Sequence, residues 1–110
     1  MKKQNHNGRY ILVKNKVVPC PDLMKWAVFY EDDNNRIVKQ DVLANGIKIS
    51  TVFLGLTCMY VGTKPWIFET MTFTDDPKYE EWNHKIINRY TTYNQALKGH
   101  MKTYWELVLI

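Results

Sequence analysis

Ser50-Thr51-Val52-Phe53-Leu54-Gly55-Leu56, Phe68-Glu69-Thr70-Met71-Thr72-Phe73 and Arg89-Tyr90-Thr91-Thr92-Tyr93-Asn94-Gln95-Ala96-Leu97-Lys98-Gly99-His100 decide how this chain folds. The first two blocks alternate with the period of two that places successive side chains on opposite faces of a strand. The third reads as a strand end, a cap and a helix. Thr92-x-x-Gln95 has the spacing of a capping box. Beyond it Tyr93, Ala96, Leu97, His100, Met101, Tyr104 and Val108 fall on one face of a helix running to the C-terminus.

Working outward, Ile47 to Tyr60 reads as one long strand, with Ile47, Ile49, Thr51 and Phe53 on one face and Lys48, Ser50, Val52, Leu54 and Leu56 on the other. Gly55 inside it signals a bulge or a close backbone approach. Asn45-Gly46 marks a two-residue hairpin turn from a strand over 36–43. In the Trp66–Thr74 strand, Ile67, Glu69, Met71 and Phe73 oppose Trp66, Phe68, Thr70 and Thr72. Residues 79–84 read as a helical turn and residues 85–90 as an edge strand. Asp22 caps a short helix, Lys14-Asn15-Lys16 turns a small hairpin of 9–13 and 17–19, and residues 1–8 form a flexible arm. The expected architecture is a single α+β domain over 9–110: an antiparallel meander with a short helix near 22–31 and a C-terminal helix near 93–109. Neither sheet face is cleanly polar, so helices are expected on one side and a second subunit or a ligand on the other. The apolar ending Glu106-Leu107-Val108-Leu109-Ile110 docks on the sheet or in an interface. A homo-oligomer follows from both features.

A chain of 110 residues has room for one core, and its 14% aromatic content fills it. The net charge of +4 fits either a mildly basic surface or attraction for a phosphate-bearing partner. Cys20 and Cys58 have no metal-ligand spacing and read as reduced thiols of a cytoplasmic protein. No apolar run approaches the roughly 18 to 20 residues that cross a bilayer, so no membrane association is expected.

Enzyme machinery is not legible. Ser50 sits in no nucleophile elbow, His6, His84 and His100 form no i,i+4 pair, and phosphate-loop and dinucleotide fingerprints are missing. Convergence in three dimensions is left open, but the expectation is a non-enzymatic protein without cofactor or metal. The acidic run Glu31-Asp32-Asp33-Asn34-Asn35 lacks the alternating ligands and distant glutamate of a calcium loop. Binding is better supported. Glu69 on an apolar face needs a cation, for which Arg89 and Lys98 are the candidates, either as a structural ion pair or around a ligand. Gly99 inside a helix costs roughly 1 kcal/mol against alanine, so close packing or a ligand needs its space. His100 on the apolar face is a core histidine or a ligand group. Arg9-Tyr10, Lys25-Trp26, Lys64-Pro65-Trp66 and Arg89-Tyr90 set cations beside rings, which suits a nucleotide or single-stranded nucleic acid and equally suits lysines snorkelling over a sheet. The candidate site takes Arg89 and Lys98 to phosphate with Arg36 as a third cation, Phe68, Tyr90 or Trp66 to a base, Glu69 to orient the arginine or a ribose hydroxyl, and His100 beside them.

The blocks Ser50–Leu56, Ile67–Phe73 and Arg89–His100 resemble those of a family of small proteins encoded by phages and prophages, over roughly residues 47 to 101. Two departures stand out. Thr57-Cys58 stands where the family often has an acid and a histidine, and Gln95-Ala96 stands where it often has Glu-Ala. At the level of fold the chain also looks like the Thoeris anti-defence sponge proteins. That resemblance implies an antiparallel sheet with C-terminal helices, oligomeric assembly, and sequestration of a cyclic ADP-ribose-type signal without cleavage in the host cytoplasm. The alternatives are a protein-directed inhibitor of a bacterial defence complex, such as an anti-CRISPR, a small nucleic-acid-binding phage protein, or a small hydrolase.

Overall fold

The computed structural model describes residues 6–110. A hairpin of β1 (Tyr10–Val13) and β2 (Lys16–Pro19) leads into α1 (Leu23–Glu31). The central sheet is β3 (Ile37–Val42), β4 (Lys48–Phe53), β7 (Phe68–Phe73) and β8 (Lys85–Tyr90), antiparallel in that order. A second hairpin, β5 (Tyr60–Val61) and β6 (Lys64–Pro65), interrupts the meander between β4 and β7, and α2 (Tyr93–Leu107) closes the chain. The fold is α+β, with the expected two helices.

Local chemistry explains most boundaries. The Asp22 carboxylate accepts from Lys25 N and starts α1. Thr92 Oγ1 accepts from Gln95 N, while Gln95 Oε1 reaches one residue further back than the usual box and accepts from Thr91 N and its hydroxyl. Pro77–Trp82 forms a 3₁₀ segment ahead of the edge strand β8. Lys14 and Asn15 both take positive φ, the geometry of a two-residue turn matched to strand twist.

Two expectations are corrected. The 43–47 connection is a three-residue loop rather than a two-residue turn, because Leu43 pairs with Ile47 and Gly46 takes the left-handed position. Asn45 turns its side chain to other work: Oδ1 accepts from Ile47 N, and Nδ2 donates to Leu107 O, tying the end of α2 to the hairpin. The long strand over 47–60 ends instead at Phe53. Gly55 takes φ +75, and its carbonyl accepts from Tyr10 N and from Trp26 Nε1, so the backbone leaves the sheet to bind β1 and α1. Of the arm expected over 1–8, residues 1–5 lie outside the described residues, and Gly8 O accepts from Thr57 N.

Helix α2 lies across all four strands of the central sheet. It divides the core in two. Tyr10, Phe53, Ile67, Phe68, Tyr90 and Ala96 form one apolar cluster, and Leu43, Ile47, Ile49 and Leu107 form the other. Between them runs a polar belt of Thr51, Thr70, His100 and Thr103, each at most 3% exposed. The opposite sheet face carries Val52, Met71 and Phe73, half-buried, with Val42 and Ile86 exposed; no element of the described residues packs across it as α2 does. Leu107 is buried, whereas Leu109 and Ile110 are exposed.

Candidate functional site

The residues predicted for a ligand site fall into separate places. Glu69 and Arg89 are register partners on the open sheet face, and Arg89 Nε donates to Glu69 Oε2 at 2.8 Å. Arg89, not Lys98, is therefore the cation that Glu69 needs; Lys98 is exposed on α2. Arg36 is committed to the end of α1: it donates to Tyr30 O, pairs with Asp33 and lies 4.2 Å over the Tyr30 ring. Phe68 is fully buried between Phe53 and Tyr93. Trp66 is half-buried, and its carbonyl accepts from Thr57 Oγ1.

Tyr90 and His100 come together inside the polar belt. Tyr90 Oη donates to Thr70 Oγ1 at 3.1 Å, and Thr70 and Thr51 Oγ1 are 2.6 Å apart. Thr51 Oγ1 lies 2.7 Å from His100 Nδ1, while His100 Nε2 lies 2.7 Å from Asp41 Oδ2. A carboxylate only accepts, so Nε2 donates to Asp41, and in the neutral ring Nδ1 is then the acceptor. Each hydroxyl then donates to the next group, from Tyr90 through Thr70 and Thr51 to His100 and Asp41. Asp41, His100 and Thr51 thus converge in the order of a nucleophile triad, which no sequence spacing shows. Thr51 and His100 are both 0% exposed, so Oγ1 is closed to solvent, and the contacts brace α2 against β3 and β4. Gly99 has the same origin: a Cβ there would sit 2.1 Å from Tyr90 Oη and 2.3 Å from the ring.

A concave feature of a size to take a small ligand lies elsewhere. A cleft of about 780 Å³ opens between the β1–β2 hairpin, the β5–β6 hairpin and the first turn of α2. That volume lies in the range of small-molecule sites. Lys14, Lys16 and Lys64 line it with no carboxylate among the lining residues, and none of the three is in a salt bridge among the described residues. Tyr10, Tyr93, Pro19, Pro65 and Leu97 supply rings and apolar surface, and Thr91, Thr92 and Asn94 supply polar groups. Tyr10 Oη meets Tyr60 Oη at 3.0 Å. Burial first, then the bond to Tyr60, push the Tyr10 phenol well above its ordinary value, so it is a neutral hydroxyl there.

None of the eight predicted residues lines this cleft. Of the cation–ring pairs, Tyr10 lines it without Arg9, and Lys64 and Pro65 line it without Trp66, so no pair reaches it whole. Lys14 and Lys16 were legible only as turn residues, because nothing in their spacing reveals that two hairpins and a helix start meet. Comparison with protein families, with curated proteins and with solved structures gives no match to this chain.

Proposed function

We propose that this chain is a binding protein that sequesters a small nucleotide-type ligand in the three-lysine cleft without cleaving it. The observation that carries the reading is the joint presence of three ammonium groups outside any salt bridge among the described residues, no lining carboxylate and two tyrosine rings in about 780 Å³. Ammonium groups donate to phosphate oxygens, and of the two rings the half-buried Tyr93 is the one open to stack on a base, Tyr10 being 5% exposed. The class of ligand matches the expectation from the sequence, although the residues differ. The resemblance of the three blocks supplies a phage context, and the separate fold-level likeness to the Thoeris anti-defence sponge proteins suggests the role: anti-defence against a cyclic ADP-ribose-type signal in the host cytoplasm.

Mixing the protein with cyclic ADP-ribose isomers and cyclic oligonucleotides, then measuring free ligand by chromatography, tests the reading. Ligand removed from solution and recovered intact after heating supports sequestration. Ligand left wholly free overturns it, and product accumulating over many turnovers makes the protein an enzyme instead. Replacing Lys14, Lys16 and Lys64 together with alanine is expected to weaken binding at least about thirtyfold, from roughly 0.7 kcal/mol for each exposed charge. All three side chains are exposed, so the circular dichroism of the triple variant should match that of the parent.

Assembly into a homo-oligomer belongs to the same reading. Support comes from the open sheet face, where Val42 is 72% and Ile86 49% exposed beside Val52, Met71 and Phe73. Both edge strands, β3 and β8, carry register shifts, which blunt edge-to-edge pairing and leave the face as the better contact. Native mass determination should give a multiple of 13.1 kDa, and Val42→Glu should return the monomer. A parent protein that is itself monomeric at micromolar concentration overturns the assembly. A protein-directed inhibitor is the second reading, favoured by Leu23, Met24 and Val28 on α1, each more than half exposed. Its signature is stable co-purification with a bacterial protein and no uptake of nucleotide.

No helix among the described residues is long and apolar enough to cross a membrane.

A further inference from the structure

The wall of the cleft that carries Lys64 is built differently from the other two. β5 and β6 have two residues each and pair only with one another, outside the central sheet. Tyr60 and Val61 are 43% and 57% exposed, and Gly62 turns the hairpin at φ +62. So short a ribbon has little stability of its own. Its position is set by what it touches. On one side the Tyr60 hydroxyl meets the buried Tyr10 hydroxyl at 3.0 Å, inside the first apolar cluster. On the other, Arg89 Nη1 donates to Met59 Sδ at 3.8 Å, and Arg89 is itself held by Glu69.

We infer that residues 59–65 form a hinged wall of the ligand cleft, and that Tyr60 and the Glu69–Arg89–Met59 chain are positioning elements that set Lys64 against the ligand. This rests on the sequestration reading for the ligand, but the latch itself is a property of the free protein. It gives Glu69 and Arg89 a role at the site without contact with the ligand. The two latches grip opposite sides of one dipeptide, Met59-Tyr60. The bonds of Trp66 N to Met59 O and of Thr57 Oγ1 to Trp66 O stay at the base of the hairpin as its hinge, so loss of both latches frees residues 60–64 while β4 and β7 keep their ladder.

The test uses Tyr60→Phe, Met59→Leu and the double variant, which remove one hydroxyl and one sulfur and leave the Glu69–Arg89 pair and all three lysines in place. Hydrogen–deuterium exchange of the free protein is read over 60–64 and over β4. The double variant should raise exchange over 60–64 at least about tenfold with β4 unchanged. Unchanged exchange over 60–64 overturns the latch. Binding of cyclic ADP-ribose is measured alongside, across a salt series. The expected result is affinity lowered about fivefold with the same salt dependence, because the charges remain but one is misplaced. Freed exchange with unaltered affinity overturns the positioning role. If the parent protein does not bind this probe or the cyclic oligonucleotides, the sequestration reading and the positioning role fall together, and the exchange data alone decide whether the wall is latched.

Discussion

Gly99→Ala is expected to destabilise the protein by about 2–4 kcal/mol, against the ordinary gain of about 1 kcal/mol for such a change in a helix interior. The added methyl would lie 2.1 to 2.4 Å from Tyr90 Oη, Cζ and Cε1, far inside contact distance. A ring at the surface would swing aside. Tyr90 is 9% exposed, packs in the first apolar cluster and donates to Thr70, so relief requires moving α2 or breaking the belt. Urea denaturation of the parent and variant checks the sign directly. A double-mutant cycle sharpens it: on a Tyr90→Ala background, itself costly, the alanine at 99 should become neutral or stabilising. A Gly99→Ala single variant more stable than the parent would show that the close approach has no energetic weight.

His100→Ala is expected to cost about 3–5 kcal/mol, as much as truncating a fully buried core phenylalanine. Removing the ring leaves a cavity at a position with 0% exposure, and it strips Thr51 and Asp41 of a partner at the same time. Thr51→Val, which keeps the volume and removes one hydroxyl, should cost about 1–2 kcal/mol, and Asp41→Asn about 1 kcal/mol because that side chain is partly solvated. Equilibrium unfolding gives these values. His100→Asn separates a brace from a reactive group: it should lower stability while leaving nucleotide uptake per folded molecule unchanged. A folded His100→Asn protein that has lost uptake would place His100 in the binding machinery. A cost below about 0.5 kcal/mol for His100→Ala would deny the belt its structural weight.

Much of the fold was legible because strands and helices announce themselves through period. The alternation in 48–53 and 68–73 gave the two central strands and the faces their side chains take, and Asp22 and Thr92 marked both helix starts. Glu69 on an apolar face correctly demanded a cation, and Arg89 supplies it. What local pattern does not encode is which turns meet in space. Lys14, Lys16 and Lys64 lie on two hairpins some fifty residues apart, and the hairpins are joined by contacts distant in sequence, Tyr10 N to Gly55 O and Tyr10 Oη to Tyr60 Oη. The same limit hid the belt: Asp41, Thr51, Thr70, Tyr90 and His100 come from five different elements. His100 and Gly99 stood out in the sequence for a sound reason, a ring and a missing side chain on a packed helix face, but the cause was internal packing.

The belt has a further consequence. Two greasy patches on either side of a helix do not define where that helix stops along a sheet; a slide of one turn, about 5.4 Å, would trade one set of methyl groups for another. The belt permits no such trade, because any slide parts His100 from Thr51 and from Asp41 at once and leaves a fully buried imidazole without either partner. The interior therefore carries a single address for α2, and with it for Thr92 and Tyr93 at the mouth of the cleft, written in one buried imidazole and its two partners.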